Sequence, residues 1–420
     1  MRIAIVGTGI AGLVSARLLC RDHDLTVFEA ADYIGGHTHT IDVEERSKTR
    51  AVDTGFIVFN EKTYPNLIEI FRRLNVKTRD SKMSFSVSCK SSGYEYNAED
   101  VPGLLAQPEN IFRPRFWKMI FGILKFYKQA PKILEHPDST ETLGDWLVKN
   151  RYSKSFIEDH LIPMAAAVWS TPIDMIREYP LLSLVRFFNN HGFLQINDRP
   201  MWKTVVGGSR SYIAPLIKPF KDRIYLNSPI LSVHRKGNEV VVKTGHGEQL
   251  AFDRVILACH GDQSLRMLKD ANPAEREILG KFRFSSNPTT LHRDTSLLPS
   301  TYKAWAAWNV ALSEPGSNHL NVSYWMNCLQ GFTQAPEEYI VTLNQNERID
   351  RSSIIQEMEY HHPLFDQHAL EAQSRHQEID GKNGVHFCGA YWGNGFHEDG
   401  VNSALEVAKK FGRKLQEITE

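Results

Sequence analysis

The sequence is poor in cysteine, with five residues, Cys20, Cys89, Cys259, Cys328 and Cys388, in a chain of 420. They are scattered, odd in number and form no CxxC pair. That argues against a disulfide framework and against a structural zinc site, and no metal is expected. Neither charge is in excess: Lys+Arg and Asp+Glu are both 49. No global basic surface therefore points to nucleic acid. No apolar run approaches the roughly 20 residues of a membrane-spanning helix. Met1-Arg2 leads straight into Ile3-Ala4-Ile5-Val6, without the charged region and longer apolar stretch of a secretory leader. The cytoplasm is the expected location. The chain is 42% hydrophobic, which at this length supports a substantial core and two domains rather than one.

The first thirty residues carry the clearest pattern. Apolar residues 3–6 are β-prone. Gly7-Thr8-Gly9-Ile10-Ala11-Gly12 follows, then Leu13 to Leu19 with apolar residues at helical spacing. A second β-prone run, Leu25-Thr26-Val27-Phe28, ends at Glu29 and Ala30. Strand, glycine loop, helix, strand, acid is the dinucleotide-binding fingerprint. Gly7 permits the tight turn, Gly9 lets a pyrophosphate approach the backbone, and Gly12 lets the helix pack close to the strand. Ile10 and Ala11 open a helix whose free N–H groups and positive dipole end favour phosphate. Glu29 stands where a ribose diol would be bound. This much suits NAD or FAD.

A second glycine pair, Gly35-Gly36, comes soon after the acid and is followed by His37 and Thr38. It resembles the GG motif of FAD-binding two-domain flavoproteins, where the loop runs along the pyrophosphate and flavin. Many amine oxidases have an arginine directly after the pair; here it is His37. Near the other end, Val385-His386-Phe387-Cys388-Gly389-Ala390-Tyr391 reads as a strand ending in a glycine turn. Trp392-Gly393-Asn394-Gly395-Phe396-His397-Glu398-Asp399-Gly400 follows, and Val401-Asn402 opens a last helix running toward Lys414. This resembles the C-terminal flavin motif of amine oxidases and phytoene-type desaturases. There, a helix N-terminus points at the pyrimidine carbonyl, where reduced flavin gains negative charge. The resemblance implies Gly389, Gly400, Val401 and Asn402 as flavin contacts. Mid-chain, Gly207-Gly208-Ser209-Arg210 precedes a helix-like run and several β-prone runs. The residue matching Ile230 in that superfamily touches the adenine through its backbone.

Three separated segments in this order resemble the flavin amine oxidase superfamily. The implied fold is α/β. A Rossmann-like FAD-binding domain (1–80, 205–285 and 381–420) is interleaved with an α+β substrate domain, an antiparallel sheet flanked by helices (81–204 and 286–380). FAD is expected to be non-covalent, because Cys388 lies before the flavin-facing loop and no other cysteine suits a tether. No second GxGxxG unit has strand context, so a built-in NAD(P)H domain is not expected. Electrons would enter from the substrate and leave to oxygen or another acceptor.

The substrate half is less explicit. Tyr302 to Asn309, Val322 to Asn327 and Ile340 to Asn344 look like strands of an antiparallel sheet. Trp305, Trp308, Tyr324, Trp325, Tyr391 and Trp392 form an aromatic-heavy set, and in amine oxidases an aromatic pair frames the substrate. Tyr391, Trp392 and His397, together with Asn394, are the candidates beside the reacting ring. The family's frequent lysine near flavin N5 has no clear counterpart; Lys303 is the nearest candidate. Trp305…Trp308-Asn309, Asn327-Cys328-Leu329-Gln330, Gly389-Ala390-Tyr391 and Gly395 to Gly400 resemble one subgroup. It is the bacterial flavoproteins that are similar to the N-terminal oxidase-like domain of plant cyclopropane fatty acid synthases, which implies a modified acyl lipid as substrate.

One stretch independently suits a lipid. Residues 112–128 are aromatic and basic, and Lys118, Lys125 and Lys132 recur at seven-residue spacing, on one helix face. Such a helix could lie in a membrane interface with its cations toward anionic headgroups; a partly buried helix with one solvated face is the other reading. The expected activity is removal of a hydride equivalent from a C–H bond, by a dehydrogenase, desaturase or oxidase. An amine or amino-acid oxidase and a non-catalytic lipid-binding escort of the same fold are the alternatives.

Overall fold

The computed structural model describes residues 1–46, 48–89, 92–136, 138–196, 199–312 and 321–419. Its first sheet is parallel and five-stranded, in the order Ile224–Tyr225, Asp24–Phe28, Arg2–Val6, Arg254–Leu257, Val385–Phe387. Ile3, Ile5 and Val255–Leu257 are fully buried on both faces, as the inner strands of a covered parallel sheet must be. The helix Ile10–Leu19 lies against this sheet and is crossed by the helix His397–Lys410. At the crossing, a side chain on Gly400 would come within 2.7 Å of Ile10. This last helix begins earlier than expected, at His397, so Val401 sits in its second turn; it ends at Lys410 rather than Lys414.

The second large sheet has seven strands, in the order Ile354–Leu364, Arg283–His292, Ile340–Leu343, Asn321–Trp325, Trp308–Ala311, Phe85–Cys89, Tyr94–Asn97. All of its pairings are antiparallel except Trp308–Ala311 with Phe85–Cys89. Among the helices between Pro114 and Asn190, Ile162–Trp169 packs on its strands Trp308–Ala311 and Ile354–Leu364. Three smaller sheets complete the fold. The boundaries expected at 80/81, 204/205 and 285/286 each fall inside a strand: Thr78–Ser81, Trp202–Val205 and Arg283–His292. A resemblance in the order of segments locates a boundary only to within a few residues, whereas backbone pairing decides where a strand runs.

Gly12 shows how tightly the first unit is built. A Cβ on it would land on the Gly7 carbonyl oxygen, and Gly7 itself has φ of 107° and lies against the Ala258 backbone. Gly12→Ala is expected to destabilise the protein by about 1–3 kcal/mol, the usual cost of overpacking. Urea unfolding followed by far-UV circular dichroism measures it; an unchanged midpoint would show that the loop can shift to make room.

Helix Pro114–Gln129 corrects the expectation for residues 112–128 in part. Lys132 lies beyond it, in a 3-10 turn at Ala130–Glu135, so it does not continue the helix face of Lys118. Lys125 is folded inward, donating to the Asn150 carbonyl at 2.5 Å and lying 4.4 Å from the Tyr152 ring centroid. Phe116 is only 2% exposed and packs into the core with Met119. Trp117, Phe121 and Leu124 are exposed instead. Among the described residues, no helix is long and apolar enough to cross a membrane.

Candidate active site

A cavity of about 490 Å³ runs from the glycine loop to the seven-stranded sheet. Gly7, Gly9, Ile10 and Ala11 form one end, with Glu29, Gly35, Gly36 and His37 beside them. Thr8 ties these pieces together, although the sequence reading gave it no role. Its N–H and hydroxyl both donate to Glu29 Oε2, at 2.8 and 2.5 Å, and its oxygen accepts from Gly35 N–H at 3.2 Å. Ala31 N–H donates to Glu29 Oε1 at 3.0 Å. A hydroxyl at the first variable position of GxGxxG was the available signal.

Several expected contacts stand elsewhere. Gly12, inside the helix Ile10–Leu19, packs on the Gly7 carbonyl and Ala258, in keeping with its expected packing role; Ala30 is exposed, and Thr38 is buried behind the cavity wall. Ile230 opens the strand Ile230–Lys236, outside the cavity lining. Gly400 and Val401 pack inside the helix crossing. Asn402 is exposed and accepts from the Asn66 amide at 2.8 Å, on a separate polar cleft. The helix start explains this: with His397 as its first residue, residues 400–402 lie about one turn further along, where Gly400 meets Ile10 and Ala11 at the helix crossing.

Tyr391 lines the cavity and is 3% exposed, with its hydroxyl buried and without a partner among the described residues. Trp392 does not line it; it stacks on His376 at 4.0 Å and meets Phe282 edge-on at 4.8 Å. His397 lines the cavity, stacked on Phe56 at 3.7 Å, with Nε2 held by Thr38 Oγ1 at 2.9 Å. Burial pulls its pKa down to about 3, so it is neutral and a weak base. Asn394 also lines the cavity, and its carbonyl accepts from Trp169 Nε1.

At the far end, Trp308 and Tyr324 face each other across paired strands, edge to face at 5.6 Å. Trp305 and Trp325 do not reach the cavity; they pack on each other at 5.3 Å. Lys303 is exposed and outside it. The aromatic wall comes largely from residues the sequence reading passed over, including Phe56, Trp169, Phe187, Phe284 and Phe396. Among the described lining residues there is no lysine and no arginine, and Glu29 and Glu359 supply the carboxylates. Cys259 is the lining cysteine, and burial pushes its thiol up to about 11, which keeps it protonated and a poor tether.

The residues fit a flavin dinucleotide. Gly9 leaves open space where a side chain would stand, and the Glu29 carboxylate lies beside it. His37 Nε2, His362 Nδ1 and the Tyr391 hydroxyl are buried polar atoms still lacking a partner. Such a fold and site are those of an FAD-binding flavoprotein. The chain belongs to the flavin containing amine oxidoreductase family, whose model matches residues 10–286.

The 15-cis-phytoene desaturase of Synechococcus elongatus is 26% identical over 201 residues, 44% of this chain and 41% of that protein. The flavin-containing amine oxidase A of Equus caballus is 21% identical over 283 residues, 66% of this chain and 53% of that protein. The chain thus spans about half the length of these curated relatives. In fold it is similar to a solved CLA-producing fatty acid isomerase from P. acnes, with TM-score 0.68, 16% identity and 98% of both chains covered. It is equally similar to a putrescine oxidase bound to putrescine, with TM-score 0.68, 16% identity, and 98% of this chain and 99% of that one covered. FAD is the cofactor, and when bound it would supply the redox chemistry.

Proposed function

We propose that the protein oxidises an apolar, acyl-chain substrate at a C–H bond, as a dehydrogenase or desaturase. The observation that carries this is the aromatic-rich lining beyond the glycine loop, whose described residues include no lysine or arginine and a single carboxylate, Glu359. There, Phe56, Trp169, Phe187, Trp308 and Tyr324 can hold a hydrocarbon by burial alone. An amino-acid substrate fits poorly. Its carboxylate would sit without a lysine or arginine, and an unpaired buried charge costs several kcal/mol. The resemblance to the subgroup similar to plant cyclopropane fatty acid synthases supports the same substrate class. An apolar amine is the second reading, favoured by ring faces such as Trp308 and Tyr324 that can attract a cation.

Within this reading, Glu29 holds the ribose, the Gly7–Ala11 loop takes the diphosphate, and Tyr391 offers a hydroxyl into the reacting end. Residues 1–80, 205–285 and 381–420 would serve the cofactor, and 81–204 with 286–380 the substrate. Anaerobic mixing of the flavoprotein with unsaturated acyl lipids and with benzylamine separates the readings. Flavin bleaching by the lipid alone is the expected result. Bleaching by the amine alone would replace it with the amine oxidase reading.

A further inference from the structure

Four imidazoles gather along one wall of the cavity. His37 follows the Gly35-Gly36 pair. His260 precedes the short helix Gly261–Met267, and His361 and His362 come from the strand Ile354–Leu364. His37 and His362 have ring centroids 5.5 Å apart, and His260 and His361 6.2 Å. Gly36 presses on the glycine loop, since a Cβ there would meet Gly9 Cα at 3.3 Å. His37 is therefore one residue from the diphosphate loop. His37 Nε2 and His362 Nδ1 are buried without a hydrogen-bond partner. The absence of lysine and arginine from the described lining leaves a diphosphate with no fixed cation.

We propose that His37, His260, His361 and His362 form a histidine-built anion site for the FAD diphosphate, and that one of them takes up a proton from solvent when the cofactor binds. This rests on the assignment of the Gly7–Ala11 loop to the diphosphate. A polyphosphate needs hydrogen-bond donors and positive charge. Backbone amides supply donors, and an imidazolium supplies both.

The surroundings set the sign. His37 faces Tyr360, His361, His362 and His397. His260 stacks on Phe284 at 4.2 Å, with Asp262, Arg266 and His361 nearby. Glu359 lies 3.6 Å from His361. Burial, the largest cause in each, holds His37 and His260 at about 4 and His362 at about 3, so these rings are neutral near pH 7 without cofactor. A diphosphate favours the imidazolium and raises the value of whichever ring it meets. FAD affinity is then constant above the cofactor-bound pKa and rises about tenfold per pH unit below it, until the free-protein value near 4 is reached.

The test dilutes full-length holoenzyme and reads released FAD by fluorescence from about pH 5.5 to about pH 8.5. The expected result is FAD affinity weakening as pH rises, by up to about tenfold per unit, with about one proton released per FAD. Proton release is read with a pH-sensitive dye in weakly buffered solution and needs no variant. Among His37→Gln, His260→Gln, His361→Gln and His362→Gln, at least one should flatten the profile. His361 is exposed, so its variant is expected to fold. A pH-independent affinity with no proton release would overturn the proposal, as would an unchanged slope in all four variants. Loss of FAD from Glu29→Ala tests the loop assignment separately, because it reads occupancy and not slope.

Discussion

Glu29→Ala is expected to weaken FAD retention by about 10- to 100-fold. The carboxylate is the acceptor at the end of the strand Asp24–Phe28, beside the cavity floor. Charge-assisted hydrogen bonds to ribose hydroxyls contribute roughly 1.5–3 kcal/mol, which is one to two powers of ten in affinity. The structure adds a second consequence. Glu29 also accepts from Thr8 N–H, Thr8 Oγ1 and Ala31 N–H, so truncation frees the loop it was holding. Glu29→Gln separates the two effects. The amide keeps an oxygen acceptor for the loop but loses the charge, so it should retain more FAD than alanine and less than wild type. Flavin remaining after extended dialysis, with circular dichroism to verify the fold, is the measurement. Wild-type occupancy in both variants would move the ribose site away from Glu29.

What could be read from the chain divides along local and long-range lines. Gly7, Gly9, Gly12 and Glu29 were legible because their chemistry is set by spacing within one strand–loop–helix–strand unit. The α/β fold followed from that unit and from the glycine turn at Gly389. Most of the aromatic wall was not legible, because Trp169, Phe187, Phe284 and Phe396 are far apart in sequence and meet only through packing. Trp392 misled for the same reason. It neighbours a lining residue, yet the 3-10 turn Ala390–Trp392 rotates it onto His376 and away from the cavity. The four histidines are a similar case, since residues 37, 260 and 361–362 come from three separate segments.

Recharging the exposed lysines of the helix Pro114–Gln129 and of the 3-10 turn that follows it is expected to abolish binding to anionic vesicles. Trp117, Phe121, Leu124 and Lys128 fall at helical spacing i, i+4, i+7 and i+11, on one stripe, and all four are exposed. Phe112, 86% exposed, extends the apolar face from the preceding turn. The helix contains no acidic residue. Arg115 is held bidentately by Asp159, and Lys125 is turned onto Asn150 and Tyr152, so neither is a free cation for headgroups. Lys118, Lys128 and Lys132 are exposed and are the residues to change. Each lysine near an anionic surface contributes about 1 kcal/mol, so losing three weakens binding by about 100-fold, and reversal to glutamate by more. Trp117→Ser with Phe121→Ser should weaken binding at high salt as well, because apolar insertion is not screened. Vesicle sedimentation at low and high salt measures both effects, and FAD content should stay at wild-type level throughout. A lipid-embedded acyl chain reaches a buried cavity only if the protein sits on the bilayer. Wild-type protein that ignores anionic vesicles at low salt would therefore remove membrane docking and leave a free, soluble acyl or amine substrate for the site.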